Sequence, residues 1–266
     1  MGVRLGVVSY LNTKPLVEAL ENRAFNHDFE LIYDVPSVCA DKLHRGETDV
    51  ALIPAAEIGR GTDPYFIVPQ VGIISKGVVR SVFVVLNKEP KDVQTLALDN
   101  SSRTSVVLSQ VILARQFGCR PKVSVLAPDL DTMLEQADAA LFIGDPALEL
   151  DLDRYRVLDL GELWTQMTGL PFVYACWTGR VGALDPKQVC QLIEAKELGQ
   201  KDVTQVTLDY AASHALSAEF YQSYLTRNIL YDLDDDALEG LRRYYIYGAE
   251  IGLIETIPDI QFYPQD

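Results

Sequence analysis

The sequence predicts an α/β fold of two similar lobes with a helical C-terminal tail. Three observations carry that expectation. Short Val-, Ile- and Leu-rich runs alternate with helix-patterned segments from Val3 to Trp177, as in largely parallel sheets flanked by helices. The stretches Leu43 to Pro54 and Leu134 to Asp145 share one plan: a helix end, a turn with an acid, a buried strand, then a sharp break. From Pro186 onward the pattern is helical only.

Val3 to Ser9 reads as a buried strand and Tyr10 to Thr13 as its turn. Pro15 suits the first turn of a helix, where its missing N–H costs nothing. Phe29 to Val35 is the second strand, Pro36 to Arg45 a helix stopped by Gly46, and Val50 to Ile53 a strand ended by Pro54. Beyond Gly61, Tyr65–Val68, Gln70–Ser75 and Arg80–Leu86 are β-rich runs. A second series follows. Its strands are Thr95–Leu98, Lys122–Leu126, Ala139–Gly144, Arg156–Leu158 and Phe172–Trp177, and its helices are Ser102–Phe117, Asp129–Gln136 and Gly161–Met167. In the tail, helices are expected around Val189–Ile193, Leu208–Leu216 and Phe220–Leu225, and from Asp234–Asp236, where three acids suit the helix dipole. The expected division is 1–86 plus 178–266 for the first lobe and 87–177 for the second, with a ligand cleft between them.

The chain has 266 residues, 48% of them hydrophobic, and a net charge of −15. That is core enough for a folded protein and a field that repels nucleic acid and anionic membranes. The four cysteines show no C-x-x-C spacing and the three histidines stand far apart, so no local metal site and no disulfide framework are expected. The first ten residues lack a long apolar h-region, and no apolar run is long enough to span a membrane. The expected setting is cytoplasmic, with no nucleic-acid or membrane partner; monomer and homodimer both stay open.

Ligands of open α/β sheets bind beyond the carboxyl ends of the strands. Here those ends fall near Asn12, Pro54, Ser102 and Asp145. The turn Asp99-Asn100-Ser101-Ser102-Arg103-Thr104-Ser105 joins a strand to a helix start. Unpaired N–H groups there, ringed by hydroxyls, suit a carboxylate or phosphate. An ordinary Ser or Thr N-cap explains the same residues.

Five motifs in order carry a resemblance. They are Ser9-Tyr10-Leu11-Asn12-Thr13-Lys14-Pro15-Leu16, Arg80-Ser81-Val82, Asp99 to Ser105, Ile143-Gly144-Asp145-Pro146-Ala147-Leu148, and Asp159 to Trp164 with Thr168 to Phe172. The chain resembles the chorismate dehydratase family of the futalosine route to menaquinone, on a type II periplasmic-binding-protein-like fold. The related dihydroxynaphthoate synthase family typically opens with a Ser-Pro-Cys-Pro-type turn, where this chain has Ser9-Tyr10-Leu11-Asn12.

The resemblance implies that each lobe is a mixed sheet flanked by helices, with the tail returning to the first lobe. It implies that chorismate loses water to give 3-[(1-carboxyvinyl)oxy]benzoate, without metal or redox cofactor. The substrate is a dianion. Carboxylate capture is assigned to Ser101, Ser102, Arg103 and Thr104, with Asn100 beside them. Asn12 and Ser81 are the leading catalytic pair. Neither is a base at neutral pH, so the proton goes either to Asp145 or to the substrate's own side-chain carboxylate. Ser9, Tyr10, Pro54, Ala55, Gly72 and Gly144 complete the expected binding surface, with Trp164 and Phe172 as pocket wall; core packing also accounts for Trp164. Two other readings stay open: a non-catalytic solute-binding protein and a cytosolic ligand-sensing domain.

Overall fold

The computed structural model describes residues 2–60 and 64–265; Gly61, where the sequence pattern changes, lies outside them. The first unit is β1 (Arg4–Val8), α1 (Lys14–Glu21), β2 (Glu30–Asp34), α2 (Pro36–Arg45) and β3 (Val50–Pro54). β1 pairs in parallel with both β2 and β3. β3 is buried along its whole length, as a Val-Ala-Leu-Ile run between helices must be. Gly46 ends α2 in the left-handed conformation, φ +73°, which only glycine adopts freely.

β4 (Tyr65–Ile67), β5 (Ile73–Ser75) and β6 (Val82–Leu86) lead into the second unit. That unit is β7 (Thr95–Asp99), α3 (Thr104–Phe117), β8 (Lys122–Leu126), α4 (Leu130–Gln136), β9 (Ala139–Ile143) and α5 (Asp145–Leu148). It repeats the first: β7 lies parallel between β8 and β9. β10 (Arg156–Asp159), α6 (Leu160–Thr168) and β11 (Phe172–Arg180) follow. The tail is α7 (Pro186–Lys201), α8 (Val203–Ala211), α9 (Ala218–Ser223) running into a π turn (Tyr224–Asn228), α10 (Asp235–Glu250) and β12 (Gln261–Phe262).

Among the described residues, one sheet has seven strands, β12-β4-β11-β3-β1-β2 with β5 also on β11; the other has five, β10-β6-β9-β7-β8. This sheet membership differs from the expected lobe boundaries. β6 pairs antiparallel with β9 in the second sheet, and β11 pairs antiparallel with β3 in the first. A buried apolar strand reads alike in either sheet, and only its hydrogen-bond partner decides. The chain therefore crosses within residues 76–81 and again within 160–171. The expected helix at Leu208–Leu216 begins earlier, at Val203, because Val203, Val206 and Thr207 form its buried face.

The tail packs on the first unit through α7 against α1, where Gly199 sits so close to Pro15 O that a Cβ would lie 2.1 Å from it. Among the described residues no helix is long and apolar enough to cross a membrane, and no group of three or more His, Cys, Asp or Glu is placed to hold a metal ion.

Candidate active site

The turns after β1, β3, β7 and β9 converge on one cavity. The centre of a water-sized sphere can move through about 70 Å³ of it, room for several waters or part of a compact organic molecule. Its wall is largely apolar, from Val8, Leu52, Ile73, Val79, Val82, Ile143 and Ile229 among others. Of the expected residues, Tyr10, Asn12, Pro54, Ser81, Ser102, Arg103, Thr104 and Gly144 line it.

The α3 turn is built on Asp99. Its buried carboxylate accepts from Ser101 N at 2.8 Å and Ser101 Oγ at 2.6 Å. Burial raises the Asp99 carboxyl, and those two hydrogen bonds oppose the rise. Ser102 N donates to Asp99 O. The turn so held presents Ser102, Arg103, Thr104 and Ser105 to the cavity. The residue before the helix is Arg103, and no side chain caps α3. Ser102 is therefore not the N-cap that sequence alone allowed. Thr13, buried on the cavity wall, also has an unpartnered Oγ1.

Two expected anion ligands are otherwise engaged. Thr104 Oγ1 accepts from Ala56 N at 3.2 Å and donates to Tyr174 O at 3.0 Å, so its hydroxyl ties the two halves together. Arg103 folds back, donating to Asn100 O and Ser102 O, with Nε 3.6 Å from Glu57. Burial works to raise the Glu57 carboxyl, but His44, Arg60 and Arg103 together hold it below its usual value.

Asn12 and Ser81 meet through Tyr224, which sequence reasoning read only as part of a tail helix. Asn12 Nδ2 donates to Tyr224 Oη at 3.2 Å, and Tyr224 Oη donates to Ser81 Oγ at 2.9 Å. Asn12 lies in the short 3₁₀ turn Leu11–Thr13, and Ser81 immediately precedes β6.

Asp145 does not line the cavity. Both its oxygens accept from Leu11 N, at 3.0 and 3.1 Å, and Oδ2 also accepts from Tyr210 Oη at 2.9 Å. It clasps the second unit to the first. Burial pushes its carboxyl up to about 6, against the pull of those hydrogen bonds. The folded protein thus holds this proton more tightly than the unfolded chain does. The stability so gained is present below the unfolded value and is lost as the pH rises through about 6, by at most about 3 kcal/mol. Asp145→Asn should flatten that part of the stability–pH curve in denaturant melts from pH 4 to 7.5. An unaltered pH dependence excludes Asp145 as its source.

Tyr10 reaches across the same seam. Its hydroxyl pairs with Ser101 Oγ at 3.2 Å, and its ring lies against Gly144. Gly144 has φ +75° and ψ −154°, a combination essentially reserved for glycine.

The remaining expected residues fall outside the cavity. Trp164 and Phe172 are fully buried, packed edge to face at 5.1 Å, and Trp164 Nε1 donates to Pro171 O. They are core, because large aromatics fit a hydrophobic interior as well as a pocket wall. Ala55 is buried, with its carbonyl accepting from Tyr245. Gly72 N donates to Tyr231 O. Ser9 and Asn100 are exposed, and Ser101 serves Asp99 and Tyr10. Sequence reasoning missed Thr13, Ser105, Tyr174 and Tyr224. Thr13 and Ser105 adjoin quoted site residues, so proximity was a usable signal for them; Tyr224 carried none.

The chain is similar to known proteins in sequence and in fold. A family described as menaquinone biosynthesis matches residues 3–250. The chain is similar to a protein named chorismate dehydratase from Thermus thermophilus, 26% identical over 258 residues, covering 90% of this chain and 93% of that one. A protein of the same name from Campylobacter jejuni is 25% identical over 244 residues, covering 90% and 94%. Among solved structures, the periplasmic aliphatic sulphonate binding protein SsuA from Escherichia coli superposes with a TM-score of 0.70 at 17% identity, over 100% of this chain and 92% of that one, which places the fold among periplasmic binding proteins. With nearly its whole length inside the family match, the chain belongs to the menaquinone biosynthesis family.

Proposed function

We propose that this protein is a chorismate dehydratase, a cytoplasmic hydro-lyase of the futalosine route to menaquinone. One observation carries the reading of its chemistry. Among the described residues, the titratable side chains on the cavity wall are Tyr10, Arg103 and Tyr174. Burial pushes Tyr10 up to about 12 and Tyr174 well above its usual value, so both keep their protons. None of these described side chains is a base at neutral pH, and a dicarboxylate substrate brings its own.

In this reading the uncapped N-terminus of α3, with Ser102 and Ser105, receives a carboxylate, and the apolar wall holds the ring. The closed lobes hold the side-chain carboxylate against the ring C–H bearing the ether. That C–H bond breaks toward the carboxylate, and the adjacent C–O bond releases the hydroxyl. Proton and hydroxide leave as one water, and the ring becomes aromatic. Ser81 and Asn12 hydrogen-bond the departing oxygen and the positioned carboxylate, which costs little reorganisation when the donors are already fixed.

Purified protein incubated with chorismate, followed by mass spectrometry, should show loss of one water well above the uncatalysed background. Binding without turnover would favour the solute-binding reading instead. If Arg103 turns from Glu57 to the substrate's second carboxylate, Arg103→Ala should raise KM about ten- to hundredfold with kcat nearly unchanged, since a charge-assisted contact contributes roughly 1.5–3 kcal/mol. Unchanged kinetics would remove Arg103 from the site.

A further inference from the structure

We propose that Tyr224 is a positioning residue that sets the hydrogen-bond polarity of the Asn12–Ser81 pair. The inference rests on the dehydratase reading and deepens it.

Tyr224 is buried, and it does not line the cavity. Its hydroxyl has one proton, spent on Ser81 Oγ at 2.9 Å. Ser81 accepts that bond, so its own hydroxyl proton is left to point elsewhere, and Ser81 lines the cavity. Asn12 spends an Nδ2 proton on the same Tyr224 oxygen at 3.2 Å. Its Oδ1 and second amide proton remain for the cavity. One phenol thus makes Ser81 a donor and orients the Asn12 amide. Donors chained in this way also polarise one another. Burial pushes the Tyr224 hydroxyl well above its usual value, so it keeps its proton and supplies none to the reaction.

The backbone is shaped to put the phenol there. Tyr224 opens the π turn Tyr224–Asn228, closed by Ile229 N donating to Tyr224 O at 3.1 Å. Such wide turns recur at functional sites. The turn's far end is tied to the first crossing between the sheets by Asn228 Nδ2 donating to Val78 O at 2.8 Å. Ile229, the next residue, lines the cavity. The tail therefore reaches the pair from behind the cavity wall.

Tyr224→Phe removes only the hydroxyl. It should lower kcat about tenfold, the worth of one net hydrogen bond, with KM within about twofold and little change in Tm. Ser81→Ala should lower kcat about a hundredfold, as losing a transition-state donor does. The double variant Ser81→Ala/Tyr224→Phe should lose no more than about twofold beyond Ser81→Ala, because Tyr224 acts chiefly through Ser81. Wild-type kcat in Tyr224→Phe, or fully multiplying losses in the double variant, overturns the proposal. A second readout does not depend on activity. In protein labelled with ¹⁵N asparagine, one Asn12 side-chain proton should exchange slowly with water in the wild type and faster in Tyr224→Phe. Equal exchange overturns the wiring even if chorismate proves not to be turned over. Absent turnover with the exchange difference intact overturns only the activity reading.

Discussion

Asn12→Asp should lower kcat/KM about a thousandfold. Asn12 faces a cavity whose proposed occupant is a dianion. A like charge placed about 4 Å from a carboxylate costs roughly 4 kcal/mol at the effective dielectric of a protein site, which is about three powers of ten in rate. The substitution also reverses a hydrogen bond. Asn12 donates to Tyr224, and a carboxylate there would instead draw the phenol proton away from Ser81. Asn12→Ser removes the amide without adding charge and should lose only about tenfold. Lowering the pH toward 5 should restore part of the Asp variant's activity by neutralising the new carboxyl. An Asn12→Asp enzyme as fast as wild type removes Asn12 from the site.

Gly144→Ala should be the second severe change. A Cβ at Gly144 would lie 2.6, 2.7 and 2.9 Å from three ring atoms of Tyr10, and the backbone conformation excludes it in any case. The cost is about 3 kcal/mol or more, roughly a 10 °C fall in Tm. Because Tyr10 belongs to the first unit and Gly144 to the second, the loss falls on the closed state. KM for chorismate should rise with the fall in stability. Gly169→Ala is a control with the same sign of φ and an ordinary left-handed ψ. Its φ is +74°, but nothing lies within 4 Å of a Cβ there, so it should cost only about 1 kcal/mol and leave KM alone. Equal effects at the two glycines would show that the Tyr10 contact contributes nothing.

How much of this was legible in the sequence depends on the kind of contact. The repeated strand–turn–helix units were readable because β3 and β9 are short, fully apolar runs bounded by polar breaks. Of the strand ends expected near Asn12, Pro54, Ser102 and Asp145, the first three line one cavity, and at the fourth Gly144 lines it in place of Asp145. The partners of β6 and β11 were not readable, since a buried strand carries the same residues in either sheet. Phe172 was expected on the pocket wall, and Trp164 was left between wall and core, for a related reason: bulk and apolarity do not distinguish a pocket from a core. Tyr224 lay beyond any local pattern. It stands 212 positions from Asn12, among tail aromatics that do serve as packing, such as Tyr221, Tyr244 and Tyr245. Its role depends on one hydroxyl direction, which no periodicity encodes.

Some of the contacts that close the two halves on each other are made by the wall of the cavity itself. Tyr10, Thr104 and Gly144 line it and also span the seam. The site is therefore a gauge. A molecule one group too large does not merely crowd a soft side chain; it holds the halves apart and leaves Ser81 and Asn12 unassembled. Inhibitors of this protein should be selected by fit at closure more than by affinity for either half, and a tight ligand of the open form need not resemble the substrate.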